Sequence, residues 1–124
     1  MNCAVYDFEE VVEYAKSVIH KSAMPTLFSN RYLDGEFLKM NNPAYYIKTV
    51  KPDPVFVSSC HNDFLKKHSF MLNDELMRQN LPHHYHFEST LKAKVRHVYN
   101  LVLPNSEEGR RTNDAMIAFF LQDF

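Results

Sequence analysis

Glycine is almost missing from this chain. Only Gly35 and Gly109 occur in 124 residues, where about 7% is ordinary. The two are too far apart to share a turn. No Rossmann fingerprint, P-loop or G-x-S-x-G nucleophile elbow can therefore be written with the residues present. Cysteine is equally scarce. Cys3 and Cys60 allow a single pair, which is no disulfide framework, so reduced, buried thiols are expected. An excess of one charge is also lacking. Lys+Arg is 14 against Asp+Glu 15, a net charge of −1. So even a balance argues against a nucleic-acid partner, which needs clustered positive charge. Lys66-Lys67 and Arg110-Arg111 are too short to change that and read as solvated faces. No run approaches the roughly 18 apolar residues of a membrane span. The first turn region carries Asp7, Glu9, Glu10 and Glu13 rather than a signal-type apolar segment. These absences lead to the expectation of a soluble cytoplasmic protein without a membrane partner.

What is present suffices for a core. Apolar residues make up 45% and aromatics 14%, with 10 Phe and 7 Tyr. Such a composition folds, and the length is one domain or a piece of a larger one. Asp7 with Glu10 has the pattern of a helix start. Val11, Val12, Tyr14, Ala15, Val18 and Ile19 continue it at helical spacing, predicting a helix over about 8–20. From Lys21 to Asn42 the pattern is irregular, and short helical turns in a loop are expected. Pro43-Ala-Tyr-Tyr-Ile47 is either a helical turn or an edge strand.

The remainder is sharper. Pro54-Val-Phe-Val-Ser-Ser-Cys60 is too short for a helix and rich in β-branched residues, so it predicts a buried strand. His61-Asn62-Asp63 breaks it. Ser69 is the expected cap of a helix with Met71, Leu72, Leu76 and Met77 on its apolar face, ended by Asn80 and Pro82. His84-Tyr85-His86-Phe87-Glu88 predicts a second strand. Asn105-Ser106-Glu107-Glu108 starts a last helix, whose expected stripe is Ala115, Met116, Phe119 and Phe120. Strand, helix, strand implies two parallel neighbours joined by a crossover, and hence an α/β architecture. Parallel strands sit in sheets covered on both faces, and two alone leave an open edge that templates association.

On these residues the chain resembles the C-terminal part of an α/β-hydrolase of the esterase/lipase type. The resemblance is carried by Pro43 in Asn-Asn-Pro-Ala-Tyr, the strand ending at Cys60 and the turn His61-Asn62-Asp63-Phe64-Leu65. It continues through the helix containing Leu76, the strand His84 to Glu88, and His97-Val98-Tyr99 before the last helix. It implies a partial α/β-hydrolase fold in which residues 43–124 are core and residues 1–42 are a cap-like segment. In that family the triad runs Ser, acid, His in chain order. Asp63 matches the acid and His97 the histidine, 34 positions apart. Phe64 and Tyr99 would be substrate-pocket neighbours. The implied chemistry is carboxylic ester hydrolysis, with His97 as general base and Asp63 fixing its tautomer. No serine here sits in an elbow, so the chain is expected to be inactive alone. A small-molecule ester would be its substrate only if the rest of the fold were supplied, and the open sheet edge implies pairing with itself or with a complementing chain that supplies the rest of the sheet. No cofactor is implied.

Other readings of the same residues stand beside this one. Asp63 after a strand could be a plain turn residue. The stretch Val98 to Leu103 could be a strand antiparallel to His84–Glu88, making His97 an ordinary strand histidine. His83, His84 and His86, with Cys60 and His61 nearby, could approach a metal. They lack closed zinc-site spacings, so no metal site is assigned. The rival to a hydrolase piece is a small autonomous α+β binding or regulatory module without catalysis.

Overall fold

The computed structural model describes Tyr6, Asp7, Glu9, Glu10 and residues 34–124. The helix expected over 8–20 and the segment 21–33 lie outside these residues, apart from the helix start. There the Asp7 carboxylate accepts hydrogen bonds from the backbone N–H of Glu9 at 3.0 Å and of Glu10 at 3.4 Å, as an N-cap does.

Two compact units divide between Lys51 and Pro52. In the first, two short helices follow one another, α1 (Gly35–Asn41) and α2 (Pro43–Thr49). Asp34 caps α1 by accepting from the Phe37 N–H at 3.1 Å. Asn42 ends α1 and starts α2. Its side-chain oxygen accepts from the Ala44 N–H, and its amide donates to Asp7 at 2.8 Å. Pro43 follows at the first helical position, where its missing N–H is no loss. The segment 43–47 is thus helical, the first of its two sequence readings.

The second unit holds a two-stranded parallel sheet. Strand β1 (Val55–Cys60) pairs with β2 (His83–Glu88) in the register Val55↔His83 through Cys60↔Glu88. Helix α3 (Lys66–Arg78) joins them. The short α4 (Tyr99–Val102) and the longer α5 (Glu107–Phe120) follow. Alternation along β2 sends its side chains to opposite faces. Tyr85 and Phe87 meet α3, through Phe70 and the Ser69 hydroxyl. His84 and His86 lie on the other face with Phe56, and Phe119 of α5 packs on Phe56 and His84. With helices on both faces, β1 is buried from Phe56 to Cys60, as its apolar run predicts. Buried Leu72 and Leu76 of α3 each contribute about 1.5–3 kcal/mol of hydrophobic stabilisation.

Several boundaries differ from the sequence reading. Helix α3 begins at Lys66, not at a Ser69 cap; Ser69 lies inside it and donates to the Lys66 carbonyl. A serine can satisfy itself this way within a helix. The end of α3 is a Schellman motif. Asn80 takes φ 52°, the left-handed region that Asn tolerates. The Leu81 N–H then donates to the Leu76 carbonyl and the Asn80 N–H to that of Met77. The run from Val98 to Leu103 is no strand, since Tyr99–Val102 is one helical turn. On α5 the buried positions are Glu108, Gly109, Thr112 and Phe119, while Phe120 is exposed. The inner face of α5 is small and polar where it meets α4. The Tyr99 hydroxyl bonds Thr112 at 2.6 Å, and Asn100 and Asn113 exchange two hydrogen bonds. Gly109 allows this approach, because a Cβ there would run into the Leu103 carbonyl oxygen.

Candidate active site

Asp63 and His97 meet beyond the C-terminal end of β1. The turn that ends β1 places the acid: the Asp63 N–H donates to the Cys60 carbonyl at 3.1 Å, and the Asp63 carbonyl accepts from Lys66, the first residue of α3, at 3.2 Å. The carboxylate itself is engaged at both oxygens. Oδ1 accepts from the Leu65 N–H at 2.9 Å and faces His97 Nδ1 at 3.1 Å; Oδ2 accepts from the Ser59 hydroxyl at 3.0 Å. The bond to Leu65 is an Asx turn. Asp63 is therefore a turn residue and the partner of a histidine at once, and the two sequence readings are compatible.

His97 is brought in by the loop after β2. Asn62 and Arg96 form an isolated parallel bridge, and the Asn62 side-chain amide donates to the Lys92 and Val95 carbonyls at 3.1 and 3.2 Å. The acid turn thus ties down the loop that carries the histidine. Behind it Cys60, Val95 and Tyr99 form a fully buried cluster. The next residue, Val98, has φ 52°. A β-branched side chain in the left-handed region costs about 1–2 kcal/mol, a local strain the surrounding contacts hold in place.

The environment of the pair is asymmetric. The Asp63 side chain is 0% exposed and that of His97 is 32% exposed. An ionised carboxylate only accepts hydrogen bonds, so the 3.1 Å contact assigns the proton to Nδ1 and leaves Nε2 as the basic nitrogen. Phe64, 77% exposed, packs its ring on that of His97 with centroids 4.7 Å apart. Tyr99 is placed differently. It is buried with its hydroxyl on Thr112, a core residue behind the loop rather than a surface beside the imidazole. Cys60 is a free, buried thiol. Burial, and then the nearby Asp63 charge, push its pKa up, which keeps it protonated and unreactive.

The three histidines of β2 are engaged elsewhere. His83 Nδ1 contacts the Leu81 carbonyl, His84 stacks on Phe56, and His86 Nε2 contacts Glu88. Among the described residues no group of three metal-capable side chains converges. Glu88, at the end of β2, is held by Arg111 through two bonds of 2.8 Å. That guanidinium, ahead of the His86 contact, holds the carboxyl below the ordinary carboxylate range against the opposing effect of burial. Arg111, Arg110, Glu107, Asn105 and Asp114 line an open groove that includes neither Asp63 nor His97. No helix among the described residues is long and apolar enough to cross a membrane.

Two residues that serve this geometry escape a reading of the sequence, Ser59 and Asn62. The available signal for Ser59 was a hydroxyl in a strand otherwise built to be buried, four positions before the acid.

A parallel β-α-β unit between helices, with an acid after one strand and a histidine after the next, is a partial α/β fold. No protein-family model matches the chain, and no curated protein matches it in sequence. Solved structures of esterase B from Lactobacillus rhamnosis share its fold. An inhibited form superposes with a TM-score of 0.76 at 18% identity, covering 95% of this chain and 38% of that one. A second structure gives 0.73 at 18% identity, with 96% and 38% covered. A tributyrin phosphonate form gives 0.74 at 17% identity, with 95% and 37% covered. The chain thus spans less than two-fifths of the length of the esterases whose fold it shares, which fits the C-terminal part of such a fold.

Proposed function

We propose that this chain carries the acid and the base of a serine-esterase triad, Asp63 and His97, for carboxylic ester hydrolysis. The observation behind this reading is the 3.1 Å contact between a buried carboxylate and a part-exposed imidazole. His97 Nε2 takes the proton of an attacking serine and later gives it to the leaving alcohol, while Asp63 fixes the tautomer and stabilises the imidazolium. Phe64 forms one wall beside the reacting nitrogen. The serine comes from outside these 124 residues, since two isolated glycines cannot build its elbow. A complementing chain supplies it, and a small-molecule ester is the substrate of the completed site. A free buried Cys60 supports a reducing, cytoplasmic setting.

Ester turnover tests this in two arms, using p-nitrophenyl acetate. The chain alone gives no His97-dependent rate above free imidazole. Co-expressed with the upstream portion of an esterase of this fold, it gives turnover that His97→Ala and Asp63→Ala abolish. A lone chain that hydrolyses the ester and loses the activity with His97→Ala refutes the need for an outside serine. Complemented turnover indifferent to both substitutions refutes the roles of the pair.

A further inference from the structure

The strand that leads to the acid contains a residue that a buried parallel strand does not call for. Ser59 is 0% exposed in β1, where apolar side chains are the rule. A hydroxyl at such a position needs a partner, and its partner is Asp63 Oδ2 at 3.0 Å. The other carboxylate oxygen is shared between the Leu65 N–H and His97 Nδ1. Leu65 and His97 both act at Oδ1. The Ser59 bond is made at the opposite corner of the carboxylate and opposes its rotation about Oδ1. It is also a bond between a hydroxyl and an anion in a site closed to water, the strong type of hydrogen bond.

We infer that Ser59 is a positioning residue for His97. Acting through Asp63, it fixes the plane of the carboxylate and so holds the imidazole in its Nδ1–H tautomer. This rests on the reading of Asp63 and His97 given above and extends it to a residue that touches neither substrate nor the reacting nitrogen. Its effect is on the ratio of the two neutral tautomers, and therefore on whether Nε2 is available as a base.

The test is nitrogen-15 NMR of the imidazole of His97 in the full 124-residue chain, above the titration range of histidine. In the unsubstituted protein the Nδ1–H form dominates. Ser59→Ala lowers the Nδ1–H to Nε2–H ratio by about tenfold, the scale of one charge-assisted hydrogen bond. Ser59→Thr, which keeps the hydroxyl, restores the ratio. Ser59→Cys is nearly isosteric with only a weak donor, and lowers the ratio as Ser59→Ala does. It keeps the question open to measurement if Ser59→Ala does not fold. A purely structural serine would shift the melting temperature of these variants and leave the tautomer ratio alone; that result overturns the inference. An unsubstituted chain already dominated by Nε2–H overturns the Asp63–His97 reading itself, and this inference with it. A locked wild-type ring that stays locked in Ser59→Ala and Ser59→Cys overturns the Ser59 role only.

Discussion

Replacing Gly109 by alanine sets two effects against each other, and the structure decides the sign. Gly109 lies in the first turn of α5. By helix propensity alone, Gly→Ala stabilises by up to about 1 kcal/mol. Against this, the new Cβ would run into the Leu103 carbonyl oxygen and would also come within 3.0 Å of Ser106 Oγ and 3.1 Å of the Leu103 carbonyl carbon. The nearest obstacle is backbone, so it cannot swing aside as a side chain would. Ser106 Oγ is itself committed as the α5 cap and as a donor to Leu103. Forcing an atom into such a contact costs roughly 1–3 kcal/mol. The net expectation is a loss of about 1–2 kcal/mol, a drop of roughly 4–10 °C in melting temperature for a chain of this size. Circular dichroism melts of the two proteins measure it. The displacement also reaches the site, because α4, which α5 clamps through Tyr99–Thr112 and Asn100–Asn113, begins two residues after His97. An alanine variant that melts higher than the parent would show that propensity wins, and would refute the packing described between α4 and α5.

Other expectations follow from single residues. Val98→Asn relieves the left-handed strain at φ 52° and raises stability by about 0.5–1 kcal/mol in urea titrations; destabilisation would mean that the Val98 side chain matters more than its backbone. The Glu88 carboxyl, held below its ordinary range chiefly by Arg111, contributes stability that is present above the unfolded carboxylate range. That stability is lost as pH falls through the lower folded value. Melting temperature should therefore fall on acidification below about pH 4, and Glu88→Gln should flatten that part of the profile. A profile for Glu88→Gln that runs parallel to the parent's would remove the ion pair from the account.

How much of this was legible in the sequence depended on which interactions decide each element. Strand β1 was, because a β-branched run behind Pro54 has few other fates. The start of α5 was, because Ser106 advertises its cap. The start of α3 was not. It is set by the Asp63 turn rather than by a side-chain cap, and Ser69 has the composition of a cap without the position of one. The run Val98–Leu103 was ambiguous because a few apolar residues fit a strand and a helical turn equally well. Helical spacing puts Phe120 on the inner stripe, but α5 turns a polar face to α4 and leaves Phe120 outside. The pairing of Asp63 with His97 rests on the family resemblance, supported by the order of strands and helix between them. Ser59 and the Asn62 clamp needed three dimensions, since their bonds reach atoms that no local pattern relates. Tyr99 looked like a pocket residue from its place beside the histidine, whereas the loop turns at Val98 and sends it into the core.

A double-mutant cycle on Asp63 and His97 asks whether the two side chains hold each other in solution. Unfolding free energies of the full chain, Asp63→Ala, His97→Ala and the double variant are compared near neutral pH. Contact between a buried carboxylate and the imidazole requires a coupling of at least about 1 kcal/mol. Effects that simply add, within about 0.3–0.5 kcal/mol, would mean that the pair does not form, and the acid–base site would have to be abandoned.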